Sequence, residues 1–345
     1  MSAEEIKFDA EALQHYLEDS EFIPPKDFFE DFSDLTSNDL NTFTEVWKNG
    51  SIQRKLDFFE ALNDTIERST LVSYEALGMV LLNDPMPAVR KSAIELLWES
   101  EDYRFADALL PIAKDDSDIS VQIAAVEALG TFVYLGEVDK FSWDKKEIIE
   151  DYLLDVLHSD EIEYKQQKAL ESLGYSSLDE INELIQEAID RFDHEWLLSA
   201  VITIGRTIDE YWIPFIMENL DHQDDDIQLE AIRAAGELEI DAAAEFLISL
   251  IEDADEISDD YYTTIVWSLS QIGGPKAIEL IQTLLDNAED ENDIEFLESA
   301  LDNVEIKQGS DGLDFFSFDP NNDHFHEEAW ADDEDEEYYE EDLDD

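Results

Sequence analysis

Apolar residues recur at helical spacing through the middle of the chain, in stretches that end in a small residue followed by glycine. Such spacing, at i, i+3 and i+4, favours amphipathic helices over strands. Five stretches share the pattern: VQIAAVEALG (121–130), KQQKALESLG (165–174), WLLSAVITIG (196–205), IQLEAIRAAG (227–236) and TIVWSLSQIG (264–273). Two looser copies flank them, VRKSAIELLW (89–98) and FLESALDNVE (296–305). The chain is therefore predicted to be all-α and internally repeated.

Alignment of the seven copies gives two columns that predict a buried helix face. The first column is small: Ala93, Ala125, Ala169, Ala200, Ala231, Ser268 and Ala300. Four residues later comes an apolar column: Leu97, Leu129, Leu173, Ile204, Ala235, Ile272 and Val304. Positions i and i+4 lie on one side of a helix, so both columns should face the core. The glycine that follows in five copies predicts a helix end with a left-handed residue.

A second apolar-periodic stretch precedes each copy, and a short acidic turn such as DDSD or DHQDDD separates the two. Each unit is thus a helix, a turn and a helix, and a further unit is plausible at 39–64. About eight such pairs would stack into an α-solenoid, because each helix buries only one stripe and needs its neighbours. We predict an N-terminal cap or flexible arm at 1–36, the solenoid at 37–306 and a disordered acidic tail at 307–345.

The repeat resembles HEAT repeats, in particular the short HEAT-like repeats of phycobilisome lyases. The resemblance covers roughly residues 39–305 and is carried by small and apolar positions of the columns and by the turn before them, for example Asp84 with Val89 and Arg90, Asp118 with Val121, and Ala234-Ala235-Gly236. It implies a solenoid fold. It does not fix the function, because one scaffold serves many tasks.

One column departs from the family pattern, which usually places Arg three residues before the small column. Here that column reads Arg90, Gln122, Gln166, Leu197, Gln228, Ile265 and Leu297. The acidic turns are therefore expected to lack internal counter-charges and to direct their field outward. The alternative is that Gln hydrogen-bonds the same turns and the change is neutral, because a surface ion pair is worth only about 0–1 kcal/mol.

Charge narrows the possible partners. The 345 residues include 91 Asp and Glu but only 20 Lys and Arg, for a formal net charge of −71. Such a surface repels phosphates, which excludes nucleic acid backbones and anionic membranes as partners. The chain has no cysteine and its acidic N-terminus lacks a signal peptide pattern, so a soluble, cytoplasmic protein is expected. Salt adaptation is an alternative explanation of the charge.

The C-terminal residues 311–345 contain 17 Asp and Glu and no Lys or Arg, interleaved with aromatic residues that include Trp330, Tyr338 and Tyr339. Such a segment is expected to be disordered in isolation. Carboxylates and rings together suit an arm that wraps a cationic partner, because rings add cation–π attraction. The alternative is a solubilising tail.

The sequence contains only weak matches to catalytic and metal-binding motifs. Deoxyhypusine hydroxylase, a HEAT-type enzyme, holds two irons with His-Glu steps on successive repeats, but this chain has only His194-Glu195 in the array and His326-Glu327 in the tail. The segment 319–330 has calcium-loop spacing but ends in Trp330, where a chelating Glu is required. We therefore predict no catalytic site, no metal and no cofactor.

The predicted function is a non-catalytic scaffold that binds a basic protein or peptide. Glu95, Glu127 and Glu171 lie two residues after the small column and are expected to point off the core as an acidic ladder on the inner helices. Together with Trp330, Tyr338 and Tyr339 they form the predicted contact surface. A bilin-lyase-like subunit, another enzyme-assembly factor and a nucleic-acid mimic remain alternatives.

Overall fold

The computed structural model describes residues 7–69, 71–252, 254 and 257–311. This part of the chain contains seventeen α-helices, three short 3₁₀-helices and no strand. The all-α prediction is confirmed.

The N-terminal residues 7–36 form a cap on the first helix pair. Helix α1 (Ala10–Glu18) and a 3₁₀-helix (Glu30–Phe32) bury a group of aromatic side chains against that pair. The Phe32 ring lies 5.0 Å from that of Phe58 and 5.9 Å from that of Phe43, at the edge-on angles that aromatic pairs prefer. Residues 8–35 thus contribute buried aromatic and leucine side chains to the same core as the first helix pair.

Eight helix pairs follow, as the repeat predicted. The first helices of the pairs are α2 (Ser37–Trp47), α4 (Glu75–Leu81), α6 (Tyr103–Asp115), α8 (Trp143–Leu157), α10 (Ile181–Ile189), α12 (Ile213–Asn219), α14 (Ala244–Glu252) and α16 (Pro275–Asn287). The second helices are α3 (Ile52–Arg68), α5 (Pro87–Leu96), α7 (Ile119–Glu137), α9 (Glu163–Leu173), α11 (His194–Thr207), α13 (Asp225–Glu237), α15 (Asp259–Ile272) and α17 (Glu291–Asp311). Helix α17 continues five residues beyond the predicted boundary at 306.

The second helices pack side by side in one unbroken row from α3 to α17, whereas most first helices pack on their own pair. The second helices are therefore the inner layer of the solenoid. Every residue of the small column and of the apolar column is buried, with at most 4% of its surface exposed. The two columns thus form the seam between neighbouring pairs, as predicted.

The prediction that the repeated glycines end their helices is wrong for most copies. Gly130, Gly205 and Gly236 lie inside α7, α11 and α13, and Gly174 follows α9 with right-handed backbone angles. Only Gly273 ends its helix with a positive φ, of 77°.

Close approach of the next second helix explains these glycines. A Cβ atom on Gly236 would lie 2.7 Å from the Cα atom of Ser268 on α15. A Cβ on Gly130 would lie 3.2 Å from the Cα of Ser172 on α9. Real side chains essentially never tolerate the first distance, so glycine sets how tightly successive pairs stack.

Helix α7 is long and apolar enough to cross a membrane by length and composition alone. It instead packs against α5, α6, α8 and α9, and more than half of its most apolar stretch is buried within the protein. Packing at the centre of the array therefore accounts for its apolarity.

Candidate functional site: the turn edge

The turns inside successive helix pairs follow one another along one side of the solenoid, because the second helices stack side by side. We call this side the turn edge; its central turns are residues 82–86, 116–118, 158–162, 190–193 and 220–224. Several of its acidic residues cap second helices. Asp118, Asp193 and Asp224 accept hydrogen bonds from the first backbone N–H groups of α7, α11 and α13. Capping accounts for part of the acidity, because helix N-termini favour negative charge.

Cations neutralise the first turns of the turn edge. Lys55 is 1% exposed and its ammonium group lies 3.3 Å from the Asp84 carboxylate. Arg90 forms two hydrogen bonds to the Asp116 carboxylate, at 2.8 and 2.6 Å, and donates a third to the Asp84 carbonyl at 2.9 Å. Burial would raise the pKa of Asp116, but the bonds from Arg90 and from the backbone hold that pKa below its ordinary value.

Glutamine side chains bind three of the turns, and these hydrogen bonds are the ones that the alternative interpretation expected. Gln122 and Gln166 donate to the carbonyls of Asp116 and Ser159, each at 2.6 Å. Gln228 donates to the Leu220 carbonyl at 2.8 Å.

Lys165 supplies a further cation that the column did not reveal. It is 1% exposed and donates to Gln122 of the preceding pair at 2.8 Å and to Glu161 at 3.1 Å. The expectation that the turns lack internal counter-charges is therefore wrong for the N-terminal half of the array.

In the C-terminal half of the turn edge, over the described residues, no Lys or Arg forms an ion pair with a turn carboxylate. His194, the first residue of α11, donates from Nε2 to the Asp224 carboxylate at 2.8 Å and places Nδ1 3.4 Å from Glu195. The hydrogen bond to Asp224 raises the pKa of His194 above its ordinary value, and the same bond lowers the pKa of Asp224. Farther along, Tyr261 donates to the Asp225 carbonyl at 2.8 Å. A neutral hydroxyl and a titrating imidazole thus replace Lys and Arg.

A groove of about 890 Å³ opens between the turns 190–193 and 220–224. We call it the turn groove. Its walls are apolar side chains and its rim is acidic; the side chains that define it are Ile189, Phe192, Leu197, Phe215 and Ile227 on the walls and Asp193, Glu218, Asp221 and Asp224 on the rim. Among the described residues, no Lys or Arg forms an ion pair with any of the four rim carboxylates.

The predicted acidic ladder on the inner helices is largely neutralised. Glu95 lies 3.0 Å from Lys91, and Glu127 lies 4.0 Å from Lys168; both glutamates remain about half exposed. Glu171 does not point off the core: it is 3% exposed and accepts hydrogen bonds from Lys168 at 2.7 Å and from Ser199 at 2.8 Å. Its predicted exposure is wrong because two neighbouring donors draw the carboxylate into the seam.

Around Glu171 the inner helices form a small pocket of mixed charge, about 250 Å³ in volume, that also contains Arg206, Arg233 and Glu237. Burial raises the pKa of Glu237, although Arg206 and Arg233 oppose that rise. Burial would lower the pKa of Lys168, but Glu171 raises it above the ordinary value. This surface offers both signs of charge, whereas the sequence predicted an acidic ladder along it.

The remaining predicted contact residues, Trp330, Tyr338 and Tyr339, lie outside the described residues, as does the His326-Glu327 step. His194-Glu195 is engaged with Asp224 along the turn edge. Within the described ranges, no cluster of three or more His, Asp or Glu side chains could hold a metal ion. The groove residues Phe192, Glu218 and Asp221 were not predicted, because they come from two different helix pairs.

Comparison with known proteins supports the architecture. Residues 74–140 and 213–301 match the family model of HEAT repeats, so the resemblance to HEAT repeats and the solenoid fold are confirmed. No curated protein matches the chain.

Among solved structures, the chain is similar to the complex of CpcE and CpcF of phycocyanin lyase from Nostoc sp. PCC7120, with 17% identity, 67% of this chain and 94% of that chain covered, and a TM-score of 0.42. It is also similar to YibA of E. coli, with 14% identity, coverage of 82% and 98%, and a TM-score of 0.38. Human deoxyhypusine hydroxylase in complex with glycerol shows 15% identity, coverage of 86% and 96%, and a TM-score of 0.33. These similarities are too distant to transfer a function.

Proposed function

We propose that the protein is a non-catalytic HEAT-repeat scaffold that binds a basic protein or peptide along its C-terminal repeats. One observation carries the proposal. Between residues 207 and 306 the chain has 28 Asp and Glu but only two Lys or Arg, Arg233 and Lys276. Both are already engaged, with Glu230 and Glu245. The negative field of these repeats is therefore available to a cationic partner.

The N-terminal repeats contribute less to such binding. They and the cap contain 17 of the 20 Lys and Arg of the chain, and several of these cations lie inside the array against carboxylates. The proposed contact surface is therefore the turn edge of the later pairs. It replaces the predicted ladder at Glu95, Glu127 and Glu171. Repulsion of phosphates by the same field disfavours nucleic acid and anionic membranes, and a cytoplasmic location fits a chain without cysteine.

Affinity capture at two salt concentrations tests the proposal. The full chain is immobilised, exposed to lysate of its native cells, and eluted at about 50 mM and about 500 mM NaCl, because screening lengths fall from above 10 Å to a few ångströms over this range. We expect basic proteins to be retained at low salt and released at high salt. Retention that is indifferent to salt, or no enrichment of basic proteins, would overturn the proposal.

A further inference from the structure

We infer that the turn groove is the docking site for a basic segment that presents a large apolar side chain beside its Lys or Arg residues. This inference rests on the proposed function and goes further, because it assigns the place of binding and the chemistry of the bound segment. Three properties of the groove support it: its apolar walls, a rim of carboxylates without Lys or Arg partners, and the left-handed, exposed Phe192.

The walls of the turn groove suit an apolar side chain. Leu197 and Phe215 are only partly buried although both pack against the core, so the groove reaches down to the apolar interior of two neighbouring pairs. Its volume, about 890 Å³, falls in the range of protein binding sites and exceeds what one small side chain fills. A segment bound there would remove apolar surface from water on both sides, which is the general source of affinity in such contacts.

Phe192 is held in a conformation that the isolated chain disfavours. It has φ of 53° in the left-handed region and is 94% exposed. A left-handed backbone costs roughly 1–2 kcal/mol for a residue with a side chain, and exposure leaves the ring without apolar contacts. Four other described residues with side chains have φ between 50° and 59°: Asp34, Asp139 and Glu239 are polar, and Ile208 is aliphatic and 75% exposed. Phe192 differs from Ile208 because it lines the apolar groove. A strained, exposed ring beside an apolar groove is the expected property of a contact residue.

The rim selects the charge of the segment. Asp193, Glu218, Asp221 and Asp224 surround the groove, and Glu218 and Asp221 are exposed. Three basic side chains lie nearby. His222 lines the groove, and its Nδ1 accepts a hydrogen bond from the Asp224 N–H at 3.1 Å. His194 is bound to Asp224, and the guanidinium of Arg191 lies over the Trp196 ring at 3.7 Å. A partner with Lys or Arg flanking its apolar side chain would therefore find complementary charge, whereas an acidic or purely apolar segment would not.

Two short fluorescent peptides with equal numbers of lysines test the inference on the full chain at low ionic strength. One carries Leu and Phe between its lysines and the other carries Ser and Gly. We expect wild type to bind the apolar peptide more tightly than the polar one. The double variant Glu218→Gln, Asp221→Asn should weaken the binding of both peptides by roughly five- to tenfold, because two exposed charge contacts are lost. Phe192→Asn should weaken only the apolar peptide, by roughly fivefold.

Matched variants make these shifts specific. Asp151→Asn with Asp155→Asn removes two exposed carboxylates from α8 and should leave both affinities unchanged. Tyr211→Asn removes a ring that is 70% exposed outside the groove and should also have no effect. Asn readily adopts left-handed angles, so Phe192→Asn should not lower the thermal midpoint.

Hydrogen exchange with the apolar peptide bound distinguishes a failure of the groove assignment from a failure of the proposed function. Protection at residues 189–197 and 215–227 supports the inference. Protection elsewhere in the C-terminal repeats, or equal effects of the groove variants and their controls, overturns the groove as the docking site but leaves the proposed function standing. No binding of either lysine peptide to wild type overturns both.

Discussion

His194 donates from Nε2 to the Asp224 carboxylate at 2.8 Å, and so links the first residue of α11 to the N-cap of α13 across the mouth of the turn groove. In the N-terminal pairs, the corresponding connection between turns uses Arg90 and Asp116. The guanidinium remains charged at every physiological pH, whereas the imidazole titrates. The C-terminal turn edge is therefore the part of the array that should respond to mild changes of pH.

The first prediction concerns this link. Because Asp224 raises the folded-state pKa of His194, protonated His194 stabilises the folded state. That contribution is fully present below the unfolded pKa of about 6.5 and is lost as pH rises through the higher folded pKa. His194→Asn should therefore lower the urea midpoint more at about pH 5.5 than at about pH 8.5. Glu195, which faces the other ring nitrogen, acts in the same direction.

The control for this prediction is His158→Asn, since His158 bonds only to the Leu154 carbonyl of its own helix among the described residues. Its effect on the midpoint should not grow at low pH. A His194→Asn effect that is equal at both pH values, or larger at high pH, would contradict the link.

The second prediction compares two buried lysines. Lys146 and Lys165 are each 1% exposed, but their carboxylate partners differ in exposure. Lys146 contacts Glu150, whose side chain is 5% exposed, at 3.2 Å, and it also contacts Glu137. Lys165 contacts Glu161, whose side chain is 40% exposed. Lys146→Met would leave a buried carboxylate without its cation, and it should cost about 3–5 kcal/mol of the free energy of unfolding.

Lys165→Met should cost much less, about 1 kcal/mol, because Glu161 can be solvated when its bond to Lys165 is lost, and Gln122 loses a single hydrogen bond. Denaturant unfolding of both variants at pH 7, followed by circular dichroism, measures the difference. Equal losses would mean that solvation of the partner carboxylate does not set the cost.

The third prediction tests why glycine recurs in the repeat. Helix propensity alone predicts that Gly236→Ala stabilises α13 by about 0.5–1 kcal/mol. The added Cβ would lie 2.7 Å from the Ser268 Cα, however, so the backbone of α15 must move. We expect a net loss of about 1–2 kcal/mol, within the usual cost of overpacking. Gly130→Ala, whose nearest backbone contact would be 3.2 Å, should lose less. Stabilisation by Gly236→Ala would contradict the packing role.

These residues also show what the sequence could and could not predict. The small and apolar columns predicted the seam correctly, because helical periodicity places i and i+4 on one face and all pairs share it. Gly236 was misinterpreted because a glycine after an apolar column fits both a helix end and a close contact. The distance to the next helix decides between them, and a single sequence does not contain it.

Lys165 and the turn groove show the same limit for charge. Lys165 pairs with Glu161 of its own turn and also donates to Gln122 of another pair, which lies 43 residues earlier in the chain. It occupies the position next to the expected Arg column, so the alignment of repeats did not reveal it. The groove likewise combines Phe192 and Leu197 from one pair with Phe215 and Glu218 from the next. Local patterns predict what each pair contains, but the stacking of pairs decides which charges meet.

The last prediction follows from the uneven pairing of charge along the array. Residues 1–206 carry 46 Asp and Glu with 17 Lys and Arg, several of which form ion pairs inside the array, whereas the pairs after residue 207 carry 28 Asp and Glu with two Lys and Arg. Contacts in a solenoid are mainly between neighbours, so repulsion should loosen the repeats in which it arises. At about 10 mM NaCl the screening length is about 30 Å, so neighbouring charges repel one another with little screening. Under this condition, backbone hydrogen exchange in α12 to α17 should be faster than in α5 to α9. About 150 mM NaCl should slow the former and hardly change the latter. Most of this slowing of exchange should be reached below about 0.5 M NaCl, because the screening length is then only a few ångströms. A requirement for molar salt would instead favour salt adaptation as the origin of the charge, and an equal response of both halves would show that internal pairing does not govern stability along the array.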